Sequence, residues 1–263
     1  MALSSGRVKT ATYLYCVVRA ARKPAATAAP EGLPGAGRPD VVPVAASLWL
    51  ITATVPLDVY GAEPLESVLS DLDQVGRIGL AHEAVVEHFA RRPGLTVVPM
   101  KLFTMFSTRA RAVADIAAHR RTLETAMKRI AGKEEWGVRV TAEKPAARRA
   151  TTASGATSGT AFLSAKRKAR DDMQTAKASA AQAAVAAFER LHAVARDARR
   201  RHDAPAAITP PLLDAAFLVR AKDRDRFTAV AREQADACAR AGAQLVLTGP
   251  WPAYNFIQTD GGQ

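Results

Sequence analysis

The chain has 263 residues, of which 48% are hydrophobic, a length and composition that suit one large or two modest soluble domains. It lacks both the roughly 20-residue apolar run of a membrane span and the apolar stretch of a secretory signal, so we expect a cytoplasmic protein with no membrane partner. The net charge of +12 lies mainly in residues 144–202, which hold 13 basic and 4 acidic residues, and this uneven spread argues against a general nucleic-acid-binding composition.

The N-terminal part of the chain predicts two strands followed by two helices. Residues 12–18 and 47–55 are rich in aromatic and β-branched side chains and are typical of strands. The Pro- and Gly-rich residues 23–40 between them favour a loop. Apolar side chains spaced three and four apart then predict helices over 63–78 and 79–92.

A third strand-like segment and a third helix follow. Residues 94–106 form an apolar run that is typical of a strand. Ser107 or Thr108 can cap a helix over 108–132, and Gly132 is a natural end for it. These elements predict an N-terminal α+β domain.

The composition changes in the middle of the chain. Residues 134–140 predict a short strand, which completes an N-terminal domain of residues 1–141. Residues 142–158 contain no large apolar side chain and are predicted to form a flexible linker. Alanine-rich helical spacing then runs from 159 to 202, about 65 Å if unbroken, with cations near its C-terminal end.

The C-terminal part of the chain predicts a strand, a helix and a returning strand. These elements cover residues 212–220, 223–242 and 244–249. Such an order suits an α/β sandwich. We therefore predict an α+β protein of two domains, in which residues 159–263 hold the long Ala-rich helix and the second domain.

No arrangement of residues indicates catalysis. His82 and His88 are six residues apart, about 240° around a helix, and therefore cannot share one metal ion. The sequence shows no phosphate-binding glycine loop and no Ser-His-Asp pattern. We predict that the protein is not an enzyme and that it has no catalytic, cofactor or metal site and no small-molecule ligand.

The basic residues of the long helix are candidates for binding a partner. Lys166, Arg167 and Arg170 could contact an acidic protein. The alternative function is a nucleic-acid-binding module that uses residues 166–202 to contact phosphates. Aromatic side chains that could stack on bases do not interleave with these cations, which favours a solvated helix face over nucleic acid.

The segment "LTGPWPAYNF", residues 247–256, concentrates aromatic side chains near the C-terminus. Gly249 lets the backbone turn, and the prolines on either side of the tryptophan fix its φ angles. We predict a stiff terminal strap that closes a core poor in large side chains. Its clamp residues are Trp251, Pro252, Tyr254 and Phe256.

The same segment resembles the signature of the gas vesicle protein F/L family. Further blocks resemble that family in the expected order, and together they cover nearly the whole chain: residues 13–18, 81–89, 97–108, 132–140 and 158–167. Residues 101–104 depart from the pattern, because Lys-Leu-Phe-Thr replaces the more usual Arg-Phe-Gly-Thr and a glycine is lost. Cys16 stands where a glycine is common.

The resemblance implies a minor, non-catalytic protein of gas vesicle assembly that binds the hydrophobic shell protein and other accessory proteins. It also implies two α+β domains, of which the second is a modified ferredoxin-like fold, and a location at the gas vesicle. Strand addition to the apolar segment 94–106 is one docking mode for such partners, with Lys101, Phe103 and Phe106 as candidate contacts. The basic helix is the other.

Overall fold

The computed structural model describes residues 9–143, 159–201 and 210–257, which fold into two compact units. One unit comprises Met1–Gly132 and Trp251–Gln263, and the other comprises Lys133–Pro250. Each unit combines helices with one sheet, so the predicted α+β class is confirmed. Of the predicted linker, residues 144–158 lie outside the described part of the chain.

The first unit contains one sheet, whose strands are β1 (Thr10–Arg19), β2 (Asp40–Ala45), β3 (Leu48–Pro56), β4 (Thr96–Pro99) and β5 (Met105–Phe106). The sheet has the order β2-β3-β1-β4, and β5 also pairs with β1. Strand β1 runs antiparallel to β3, β4 and β5 and is buried along most of its length. Strand β2 is not predicted by the sequence because it contains Pro43, which an edge strand tolerates.

The helices of the first unit divide differently from the prediction. They are α1 (Leu57–Tyr60), α2 (Ala62–Ser70), α3 (Leu72–Ala90), α4 (Arg109–Ala118) and α5 (Arg120–Ile130). The predicted boundary between residues 78 and 79 is wrong, because Asp71 ends α2 and caps α3. Its carboxylate accepts hydrogen bonds from the backbone N–H groups of Asp73 at 3.0 Å and Gln74 at 3.1 Å.

Buried tyrosines organise the core of the first unit. Tyr13 and Tyr15 share one face of β1 and are fully buried. The hydroxyl of Tyr15 accepts a hydrogen bond from the backbone N–H of Leu33 at 3.0 Å, and that of Tyr60 donates to the carbonyl of Pro34 at 2.7 Å. These two bonds fasten the Pro- and Gly-rich loop onto the core, and the loop is therefore part of the fold.

The second unit has the ferredoxin-like βαββαβ order that the resemblance implies. Its elements are β6 (Lys133–Ala142), α6 (Gly159–Val194), β7 (Asp197–Arg200), β8 (Leu213–Arg220), α7 (Arg224–Arg240) and β9 (Ala243–Trp251). The sheet order is β7-β8-β6-β9, with β6 and β7 antiparallel to β8. Strand β6, which the prediction assigned to the first domain, therefore belongs to the second sheet.

The long helix is shorter than predicted. It ends at Val194, and residues 197–200 pair with β8 as a strand, so the predicted helical end at 196–202 is wrong. Pairing with a distant strand overrides local helix propensity here. The cations of this segment consequently do not lie in the last turn of a helix.

Small side chains attach the second half of α6 to its sheet. Its buried residues, spaced three and four apart, are Ala180, Ala184, Ala187 and Leu191. They contact a core that contains Trp136 of β6, Phe217 of β8 and Phe227 of α7. The first half of α6 has no such buried stripe.

Candidate partner-binding surfaces

The exposed half of α6, residues 160–179, is the most prominent candidate surface. Every side chain described in it is exposed, and 20 residues extend for about 30 Å. The candidate contacts Lys166, Arg167 and Arg170 all lie here. Large apolar side chains are exposed beside them: Phe162 by 61%, Leu163 by 65% and Met173 by 59%.

Helical geometry places Phe162 and Met173 on the stripe that packs against the sheet farther along α6. Phe162 precedes Ala180 by 18 residues, which is five turns, and Met173 precedes Ala184 by 11, which is about three. Lys166 lies one turn after Phe162 on the same side. The exposed half of α6 is thus an amphipathic surface with a basic border. The sequence analysis did not single out Phe162 or Leu163, although helical spacing continued backwards from Ala180 and Ala184 reaches Phe162.

The second candidate surface, residues 101–106, is half-buried except at Lys101. Lys101 is exposed, but Phe103 and Phe106 are half-buried. Phe103 packs against the first core, and its backbone N–H donates to the Tyr13 hydroxyl at 3.3 Å. Phe106 is already paired with Thr12 of β1. Of the three predicted contacts, Lys101 is the most exposed.

Phe103 stands where the family resemblance leads us to expect a glycine. Its φ angle is +63°, in the left-handed region that costs a residue with a Cβ atom about 1 kcal/mol. Packing of the ring against the core offsets this strain. The turn is also held by the hydrogen bond from the backbone N–H of Thr104 to the carbonyl of Lys101 at 3.2 Å.

Because of this strain, a glycine variant should be more stable than an alanine variant at position 103, which is the reverse of the usual order. We expect Phe103→Gly to be more stable than Phe103→Ala by about 1 kcal/mol, because both lose the ring but only glycine relieves the backbone. Urea denaturation of the two variants measures the difference. Gly76, on the exposed side of α3 with a negative φ, is the control, and there alanine should be the more stabilising residue. Equal stabilities at position 103 would contradict the strain.

The predicted clamp residues do not all behave alike. Phe256 is fully buried and Pro252 is buried, while Tyr254 is half-buried and donates a hydrogen bond to Glu83 Oε2 at 2.6 Å. Trp251 is 41% exposed, so its ring does not help to close the core as predicted. It ends the edge strand β9, which has no further strand beside it among the described residues.

Glu83 and His82 are adjacent buried ionisable residues of α3. Burial raises the pKa of Glu83, the nearby Glu87 adds to this, and the Tyr254 hydrogen bond opposes both. Burial lowers the pKa of His82 to about 4, so its ring is neutral at pH 7, and Nδ1 lies 2.7 Å from the Tyr13 hydroxyl. These contacts join α3 to β1 and to the C-terminal tail, which is a structural role.

Two of the cations at 196–201, Arg200 and Arg201, are engaged within the second unit. The Arg200 guanidinium lies 4.3 Å from the centre of the Phe188 ring. Arg201 pairs with the buried Asp214 at 2.5 Å, and Arg139 binds the same carboxylate at 2.7 Å. These contacts weaken the nucleic-acid alternative, which relied on this segment as well as on α6.

The described residues contain no group of three or more His, Cys, Asp and Glu side chains placed to hold a metal ion. Within that same part of the chain, no helix is both long and apolar enough to cross a membrane.

Comparison with known proteins identifies the class as gas vesicle proteins. The family model described as "Gas vesicle synthesis protein GvpL/GvpF" matches residues 11–258. Gas vesicle protein L of Streptomyces sp. (strain CB03234) is 31% identical over 268 aligned residues, covering 93% of this chain and 91% of the relative. The chain belongs to the GvpL/GvpF family, as its sequence resemblance implies.

Two crystal structures have the same fold. The gas vesicle protein GvpF from Anabaena sp. PCC7120 has a TM-score of 0.67 at 15% identity, with 97% of this chain and 98% of that chain covered. GvpF from Microcystis aeruginosa has a TM-score of 0.62 at 12% identity, with 95% and 99% covered. At these identities the similarity concerns the fold, and it extends over essentially the whole chain.

Proposed function

We propose that this protein is an accessory or minor structural component of gas vesicle assembly, acting in the cytoplasm by binding the hydrophobic shell protein and other gas vesicle proteins. Its role is recognition, without catalysis. Family membership supports the gas vesicle role. The observation that carries the binding mode is the exposed half of α6.

The chemistry of that surface fits an apolar partner. Phe162, Leu163 and Met173 are each more than half exposed, and burying one large apolar side chain contributes about 1.5–3 kcal/mol. The neighbouring cations favour a partner with acidic side chains beside its apolar ones. A shell subunit that has not yet assembled exposes apolar surface, which a helix of this kind can cover.

The proposal predicts that the three apolar side chains carry binding. We expect joint replacement of Phe162, Leu163 and Met173 by serine to reduce capture of the shell protein by immobilised protein about tenfold or more. Val185→Ser is the matched control, because Val185 is 47% exposed on the half of α6 that packs on the sheet. A triple variant that captures shell protein as well as the wild type would refute the assigned surface.

The cellular test uses the same variants. Deletion of the gene should abolish buoyant vesicles, and the wild-type chain and Val185→Ser should both restore them. The triple variant should fail to do so while accumulating to the wild-type level. Normal vesicles in the deletion strain would count against the role itself.

A further inference from the structure

Two surfaces hold most of the exposed apolar side chains of the described residues. Six of the ten large hydrophobic side chains that are exposed lie either on the exposed half of α6 or on the helix pair α2–α3. The three on the helix pair are Leu69, 52% exposed, Leu72, 84% exposed, and Leu80, 75% exposed. Isolated exposed side chains of this kind are common, but two clusters with flanking charges indicate docking surfaces.

The charges of these two surfaces are opposite. The span from Ala62 to Ala90 contains six acidic residues and one basic residue, Arg77. Three of the acids, Glu63, Glu66 and Asp73, are exposed. The exposed half of α6 contains five basic and two acidic residues. An acidic apolar surface and a basic apolar surface on the same protein are complementary to each other.

The exposed side chains of the helix pair lie between Ala62 and Leu80, because residues 81–90 of α3 have no exposed side chain. Leu72 and Leu80 are eight residues apart, just over two turns, on one side of α3. Gly76 lies between them, and the space above it is open, which lets another helix approach closely.

We propose that the protein self-associates, with the exposed half of α6 of one copy docking on the α2–α3 surface of a second copy. The leucines contact Phe162, Leu163 and Met173, and Glu63, Glu66 and Asp73 face Lys166, Arg167 and Arg170. A contact between two different surfaces closes into a dimer or ring, or propagates as an open chain of copies. This inference goes beyond shell-protein binding and concerns the protein alone.

Sedimentation equilibrium of the purified full chain tests the proposal directly. We expect a mass that rises with protein concentration at low ionic strength and falls towards that of the monomer at high salt, because exposed charges are screened. A monomer at every concentration and salt would overturn the proposal.

Charge reversal identifies the surfaces. The α6 variant carries Lys166→Glu, Arg167→Glu and Arg170→Glu, and the α2–α3 variant carries Glu63→Lys, Glu66→Lys and Asp73→Lys. Each should weaken self-association about tenfold or more, since like charges then face each other. Arg190→Glu, an exposed cation on the other half of α6, is the control and should not change it. Wild-type association by either triple variant would overturn the proposal.

Mixing the two variants gives the decisive result. The acidic α6 of one variant meets the basic α2–α3 surface of the other, and the reciprocal contact keeps its original charges. We expect the equimolar mixture to associate again, whereas each variant alone stays monomeric and folded by circular dichroism. A mixture that remains monomeric would overturn the pairing.

The outcome is separable from that of the proposed function. The α2–α3 variant keeps the exposed half of α6 intact, so it should lose self-association and still capture shell protein. A wild-type chain that is monomeric yet captures shell protein would refute only self-association. Failure of the α2–α3 variant to capture shell protein would refute only the proposed binding, because no second copy covers its α6.

Discussion

Replacing Phe256 by alanine is expected to lower the free energy of unfolding by about 3–5 kcal/mol. The ring is fully buried, and its short helix (Tyr254–Phe256) lies against α5 in the first unit. Removing the ring takes away its burial and leaves a cavity that the surrounding elements fill only in part. Urea denaturation followed by circular dichroism measures the loss.

Trp251→Ala is the matched control for this substitution. The side chain is larger but 41% exposed, so its loss should cost no more than about half as much. Hydrogen exchange should agree, with β1 amides exchanging faster in the Phe256 variant than in the Trp251 variant. Equal costs for the two substitutions would mean that the tail does not close the core through Phe256.

Replacing Tyr254 by phenylalanine is expected to cost about 2–3 kcal/mol at a high pH at which Glu83 is ionised, and about 1 kcal/mol at a low pH at which Glu83 is protonated. The Tyr254 hydroxyl donates to Glu83 Oε2, and Glu83 Oε1 is buried without a hydrogen-bond partner. A lost donor therefore leaves the carboxylate poorly satisfied. The same loss matters less for the neutral acid, because hydrogen bonds to charged groups are the stronger ones.

The sign of the pH dependence follows from the direction of the pKa shift. The folded-state pKa of Glu83 is raised, so its stabilising contribution is complete below the unfolded-state pKa and is lost as pH rises through the folded-state pKa. His82 acts oppositely, because its pKa is lowered to about 4 and its contribution is lost as pH falls towards that value. Taking the difference between variant and wild type at each pH removes the His82 contribution that both share.

Two controls isolate the Tyr254–Glu83 bond. In a Glu83→Gln background, Tyr254→Phe should cost the same at both pH values, because no charge remains to titrate. Tyr60→Phe removes a hydroxyl that donates to the neutral carbonyl of Pro34, and its cost of about 1 kcal/mol should not depend on pH. A pH-independent cost for Tyr254→Phe in the wild-type background would contradict a charged acceptor.

Local sequence patterns predict the elements whose side chains alternate or repeat strongly. The central strand β1 and the strand β8 are rich in large apolar side chains, and the helical spacing of α7 is regular, so their type follows from the sequence. Strand β7 could not be predicted in this way. Its sequence, Asp-Ala-Arg-Arg, is strand only because Leu218 and its neighbours in β8 supply the pairing.

The candidate surfaces were predictable to different degrees. Lys166 and Arg170 are found from charge alone, because a basic Ala-rich helix leaves its cations in solvent. The burial of Phe103 could not be predicted, because it depends on the Tyr13 hydroxyl, 90 residues away in the sequence. The acidic α2–α3 surface was not predicted, because the predicted helix boundary lies after Ile78. Asp71 followed by Asp73 is a recognisable N-cap pattern and marks the correct start of α3.

The course of the chain makes the second unit an insertion within the first. The first unit is completed only by Trp251 and the residues after it. Truncating the chain before Trp251 would therefore keep the ferredoxin-like unit but remove the last segment of the first unit. To study the units separately, Lys133–Pro250 should be excised and the two flanking pieces joined by a short linker. A fusion partner placed at the C-terminus is attached to the first unit, although most of that unit lies at the other end of the sequence.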